Sequence, residues 1–327
     1  MYRTLTLAVL GTALVVGAGV AAPANASSGC TDGTVTSTDL DAGCTVGAGS
    51  TVVVDGRTFV VPAAGTAVRV DSVSAAGAQP ATDVTVFNTD AGVSVQVGSD
   101  WHGTSPAKSS AQRATQGAAQ SSSGTQAPAT APGTSIGAAS CAGDYNLAGN
   151  TWRTSVEWRY NEANSKGTYA YDELKAAANK WGGNISACGA SGISGARNTP
   201  LGATGSDPAV TSALSCSAQD NKNVIGWGSL PTGTLAATCT FYNLSTLAST
   251  ESDQKYSTRY AWNSVQASCS GDRYDVRGVA VHEWGHTFGL DHVDIATRLV
   301  MKPSSDVCEL SQRSLGYGDF LGIIQAY

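Results

Sequence analysis

Three of the four histidines in this chain of 327 residues fall within one run, VAVHEWGHTFGLDHV, Val279 to Val293. His282 and His286 are spaced i and i+4, which on a helix sets two imidazoles one turn apart on one face. Gly289 then lets the chain leave that helix in a conformation costly for other residues. After such a bend His292 can swing back toward the first two. Three imidazoles on one zinc ion leave a position open for water, the arrangement of a catalytic rather than a closed structural site. Glu283, beside the first histidine, can reach that water without ligating the ion. A bare H-E-x-x-H also arises by chance, and a helical histidine pair can be a satisfied core feature. The longer string H-E-x-x-H-x-x-G-x-x-H is far more restrictive. It is followed by Met301 in RLVMKP, the only methionine besides Met1.

The rest of the chain reads as exported. Arg3 precedes the apolar run LTLAVLGTALVVGAGVAA, and Ala24 to Ala26 offer a small-x-small cleavage site, so residues 1–26 are expected to be a signal peptide. No later segment is apolar enough to span a membrane, so no anchor is expected after cleavage. The eight cysteines, Cys30, Cys44, Cys141, Cys188, Cys216, Cys239, Cys269 and Cys308, include no C-x-x-C pair. An even count in an exported chain reads as disulfides. Cys30 and Cys44 are close enough to pair, and the remaining six allow 15 pairings. A net charge of −6 argues against nucleic-acid binding.

Composition divides the mature chain into three. Residues 27–103, with TVVVDGRTFVVP and DVTVFNTDAGVSVQVG, alternate in the manner of strands and suggest a small all-β domain. Residues 104–140 have no aromatic residue and few charges, and are expected to be a flexible linker. From residue 141 to 327 helix and strand patterns mix, which predicts an α+β (α/β-type) domain. TSVEWRYNEA, KNVIGWGSL and TLAATCTFYN read as strands. YDELKAAANKWGG, YDVRGVAVHEWGHTFG and YGDFLGIIQAY read as helices, with Asp275 as N-cap of the second. His102 and Tyr317 read as ordinary structural residues.

From about Thr151 to Tyr327 the chain resembles the metzincins, most of all a secreted bacterial zinc endopeptidase of the matrixin type. YDVRGVAVHEWGHTFGLDH resembles that family's active-site helix and bend, LVMKP its Met-turn, GDFLGIIQAY its C-terminal helix and GTLAATCTF its edge strand above the cleft. The resemblance implies a twisted mixed sheet with an active-site helix, and one catalytic Zn2+ on His282, His286 and His292. It also implies Glu283 as general base, Met301 as a structural floor, and main-chain groups near Leu235 and Ala236 as the holders of a protein or peptide substrate. A monomer is expected. Ca2+ is compatible with the chain, but nothing in the sequence shows a site for it.

Three positions depart from the family pattern. Ala237 stands where the edge strand often carries a histidine for a structural zinc, so no such zinc is expected. Gly318 leaves Asp319 alone where an acidic pair is usual. Ser305 replaces a tyrosine after the Met-turn proline. Family members are commonly kept latent by a prodomain cysteine, yet only Cys30 and Cys44 precede the linker, and neither lies in a matching sequence. The β-rich segment is then either a prodomain that shields the cleft by another contact or an accessory domain. A reading of a different class is a non-proteolytic cell-surface or matrix-binding protein with a degenerate zinc domain. The intact Glu283 argues against it, because a pure binder needs no general base.

Overall fold

The computed structural model describes Cys30, residues 34–119 and residues 140–327. The expected signal segment, and residues 120–139 of the expected linker, lie outside the described residues. The N-terminal part contains β1 (Thr34–Thr36), α1 (Ser37–Asp41), β2 (Thr51–Val54), β3 (Arg57–Val60) and the long strand β4 (Thr66–Ala75). It continues with β5 (Val84–Thr89), β6 (Gly92–Val97), β7 (Asp100–His102) and α2 (Ser105–Ala119). The C-terminal part opens with β8 (Asn146–Leu147), β9 (Val156–Tyr160), α3 (Ala170–Ala178) and the hairpin β10–β11 (Gly183–Ala187, Ala190–Ser194). Next come β12 (Asn198–Ala203), β13 (Asn223–Gly228), β14 (Thr234–Asn243), β15 (Ser249–Ser257), β16 (Trp262–Asn263) and β17 (Tyr274–Asp275). Helix α4 (Val276–Thr287), β18 (Leu290–Asp291), β19 (Ser304–Ser305) and α5 (Tyr317–Ala326) complete the chain.

The mixed α+β architecture agrees with the sequence. The separate all-β domain expected over 27–103 does not stand apart. One ten-stranded sheet runs β12-β9-β13-β15-β14-β4-β5-β6-β7, with β19 against β4. Strand β4 pairs antiparallel with β14 from Thr66↔Asn243 to Ser74↔Thr234, so the N-terminal strands extend the C-terminal sheet. The core is shared as well. Val52, Phe59, Val68, Val84 and Val86 form one buried cluster with Val210, Leu214, Leu230, Cys239 and Phe241. Strand periodicity locates β4 but carries no information about its partner.

The expected linker over 104–140 also begins differently, since α2 occupies 105–119. Ala107 and Ala111 are buried, and Ala111 clusters with Ala67, Phe87 and Tyr242. Alanine has the best helix propensity, and a small face suffices where a sheet lies beneath it. All eight cysteines are paired: Cys30–Cys44, Cys141–Cys188, Cys216–Cys239 and Cys269–Cys308. Among the described residues no helix is long and apolar enough to cross a membrane.

Helix α4 lies beneath the sheet and is buried on nearly every side. A helix with water on no face needs its end groups satisfied internally. Asp275 does this at the N-terminus. Its side chain accepts the Gly278 N–H at 2.8 Å and is held by Asn263 at 3.0 Å and by two nitrogens of Arg313 at 2.7 and 2.5 Å. Below, Arg277 forms a forked pair with Glu173 of α3 at 2.7 and 2.9 Å, and Trp284 meets Trp158 edge-on at 5.6 Å. Asp275→Ala removes the cap and leaves Arg313 uncompensated. It is expected to cost about 3–5 kcal/mol, read as a shift in the chemical unfolding midpoint at unchanged m-value.

Candidate active site

His282, Glu283 and His286 project from the buried α4, and His292 returns to them past β18. The return depends on Gly289, which has a φ of +92°. A Cβ at this position would also collide with the carbonyl oxygen of Asn150. Glycine therefore answers both a dihedral requirement and a packing one. A second glycine, Gly285, sits between the first two histidines, and a Cβ there would strike the Met301 sulfur. Met301 is 1% exposed and packs against the helix at Gly285.

The three Nε2 atoms converge, with separations of 2.9 Å (His282–His286), 3.1 Å (His286–His292) and 3.2 Å (His282–His292). Each opposite nitrogen is engaged elsewhere. His282 Nδ1 lies 2.7 Å from the Val300 carbonyl and His286 Nδ1 3.1 Å from the Leu290 carbonyl. His292 Nδ1 is 3.0 Å from Asp83 Oδ2. Carbonyl and carboxylate oxygens only accept, so each Nδ1 carries the hydrogen and each Nε2 turns a lone pair inward. Three lone pairs this close repel one another unless a cation lies among them. Burial, reinforced by the charge on His292, drives His282 down to about 3 and His286 well below its ordinary value, which keeps both neutral. Burial also opposes charge on His292, but Asp83, then Asp71 and Asp291, outweigh it and raise that histidine to about 9. The donor set fits a zinc ion, with His282, His286 and His292 as the group able to hold it.

Glu283 is wholly buried beside the triad. Its Oε2 accepts the Thr238 hydroxyl at 2.5 Å, and Oε1 makes no hydrogen bond. Burial raises this carboxyl to about 8, although the Thr238 hydroxyl, the charge on His292 and the Val73 main-chain N–H all favour its ionised form. A carboxyl held near neutrality is suited to passing a proton in both directions.

The Met-turn is fixed by one acid. Asp319 accepts the N–H groups of Val300 at 3.0 Å, Met301 at 3.3 Å and Gly316 at 2.8 Å. Val300 in turn supplies the carbonyl that orients His282. The missing acidic partner has a steric cause, because a Cβ on Gly318 would meet the Asp144 carbonyl and Leu299.

Leu235 and Ala236 lie on β14 above the triad, but both are buried, and Ala236 is paired with Val73 of β4. Sequence reasoning missed Thr238, Asp83, Asp71, Arg69 and Asp291. Thr238 follows Ala236 by two residues and so shares its strand face, a signal that was available once β14 was recognised. The others come from the N-terminal strands or depend on them. Arg69 bridges Asp71 at 2.6 Å and Asp291 at 2.5 Å, and Asp71 approaches His286 Nδ1 to 3.9 Å. His102 Nδ1 lies within hydrogen-bond distance of Asp41 Oδ2, at 2.8 Å and away from the triad, and Tyr317 stacks on Phe320.

The family model described as matrixin matches residues 220–327, the last third of the chain, which contains the whole histidine set and the Met-turn. No curated protein matches the chain. The matched region is matrixin-like, of the metzincin peptidases, and this family is zinc-dependent.

One equivalent of zinc is expected in the purified protein, and His292→Ala is expected to lose most of it. Asp319→Ala touches no imidazole, yet it releases the Val300 and Met301 N–H groups and so loosens the segment whose Val300 carbonyl orients His282. It is expected to weaken zinc binding about 10–100-fold in a chelator competition, the range typical for outer-shell partners. Unchanged affinity would uncouple the Met-turn from the site.

Proposed function

We propose that this matrixin-like chain is a secreted zinc-dependent endopeptidase that hydrolyses peptide bonds in extracellular proteins. The observation that carries the reading is the convergence of three Nε2 atoms beside a buried carboxyl with one free oxygen. His282, His286 and His292 hold the metal. Zinc, when bound, supplies Lewis acidity toward water and the peptide carbonyl.

Glu283 is the general base: it takes a proton from the attacking water and returns it to the leaving amine. Thr238 fixes Oε2 and leaves Oε1 to make the transfer. Main-chain groups near Leu235 and Ala236 align an extended peptide along β14. Met301 supports the helix by packing and is not a ligand. Four disulfides accord with an oxidising, extracellular setting.

Glu283→Gln is expected to keep zinc and fold while lowering casein cleavage by about 10²–10⁴-fold, the usual contribution of a positioned base. Zinc retained with activity within about tenfold of wild type would assign the base to another group. Zinc binding with no cleavage by the wild type, even after release of the N-terminal segment, would favour the non-proteolytic binding reading.

A further inference from the structure

The β14 edge that faces the triad is filled by the chain itself. An open sheet edge presents a row of N–H and C=O groups, and an extended peptide binds such an edge by adding a strand. Beside Glu283 that place is taken by β4. Its pairing with β14 runs without a break through Thr240↔Arg69, Cys239↔Val70, Thr238↔Asp71, Ala237↔Ser72 and Ala236↔Val73. Past Val73 the segment is gripped from both sides. The Ser74 N–H donates to the Pro303 carbonyl at 3.0 Å, Ala75 to Gly233 at 2.8 Å and Ala76 to Ser305 at 2.9 Å. Strand β19 runs parallel to it there, with Ser304↔Ser74 and Ser305↔Ala75. The slot between Gly233 and the Met-turn segment thus holds a single strand, and β4 is that strand.

The side chains alternate to match. Val73 enters the core cluster that contains Leu235, Trp262, Leu299 and Val300. Ser72 faces the other way, and Asp71 returns to the triad side. Val73 is paired with Ala236, two residues before the Thr238 whose hydroxyl binds Glu283, so β4 crosses the site at the level of that carboxyl. Arg69 pins the strand by its pairs with Asp71 and with Asp291, the residue before His292. The result is a largely covered site: His282 and Glu283 are wholly buried, His286 is 2% exposed, and His292 alone keeps partial exposure.

We propose that Arg69–Ala76 is an internal pseudosubstrate strand, which occupies the peptide groove in the manner of a bound substrate and keeps the chain self-inhibited. This rests on the reading of β14 as the peptide-binding edge of a metallopeptidase. It requires no cysteine, consistent with Cys30 and Cys44 being joined to each other.

The test uses the full mature chain loaded with zinc, and two substitutions confined to β4. Ser74→Pro removes the N–H that binds Pro303, and Arg69→Ala removes the pin to Asp291. The probe is a fluorescent peptide hydroxamate, whose binding is followed by anisotropy and needs no turnover. Amide exchange of residues 236–240 is followed in parallel, with and without zinc. The wild type is expected to exclude the probe and to protect those amides. Either variant is expected to bind the probe at least about tenfold more tightly and to exchange faster along β14. If Ser74→Pro does not fold, Arg69→Ala carries the comparison, with near-UV circular dichroism as the check of fold. Probe binding by the wild type as tight as by a folded variant, or no gain in any folded variant, overturns self-inhibition. A gain in probe binding without peptide hydrolysis upholds it and removes the peptidase reading instead.

Discussion

The pairing of β4 with β14 is the constraint on which the rest of the molecule depends. It joins the two parts of the chain into one sheet, carries the shared core, and sets the environment of the triad beneath. Without it the β14 edge would be unpaired and His292 would lose the Asp83 carboxylate, because Asp83 enters the site from the segment just before β5. The shifts at His282, His286 and Glu283 all have burial as their largest cause, and β4 is part of what buries them. Electrostatics at the centre is therefore a property of the whole sheet and not of α4 alone.

Around that centre the support is layered by reach. Asp319 holds the Met-turn, the Met-turn carbonyl of Val300 holds His282, and Met301 fits beneath the helix only because residue 285 is glycine. Each link is a short contact between a side chain and the main chain, which fixes direction better than two flexible side chains could. His292 alone takes its Nδ1 hydrogen-bond partner from the N-terminal segment. Of the three imidazoles, it is the one whose orientation depends on the two parts staying together.

Much of this was legible in the sequence, and the pattern of success is physical. The cap at Asp275, the i and i+4 histidines, the bend at Gly289 and the methionine after it are local or short-range, and each leaves a signature within a few residues. The Cys30–Cys44 bridge was legible for the same reason. The association of β4 with β14 was not, because alternation specifies a strand and its buried face but is silent about a neighbour far away in sequence. Thr238, Asp83 and Arg69 were hidden with it, since their roles exist only once that register is set. The structure departs from the expected separateness of residues 27–103, and it places a helix in the first part of the linker expected over 104–140. Both expectations rested on composition, which cannot show that Val68, Val84 and Ala111 find their partners across the assumed boundary.

The order in which such a sheet can assemble has its own consequence. The hairpins β4–β5 and β14–β15 each join strands close in sequence and can form early, whereas the seam between them needs a large loop to close. That seam pairs residues far apart in the chain, and it lies beside the Thr238 hydroxyl that binds Glu283. The same strand that completes the shared core therefore covers the cleft, so any opening of the site by release of β4 also exposes Val68 and Val70 of that core.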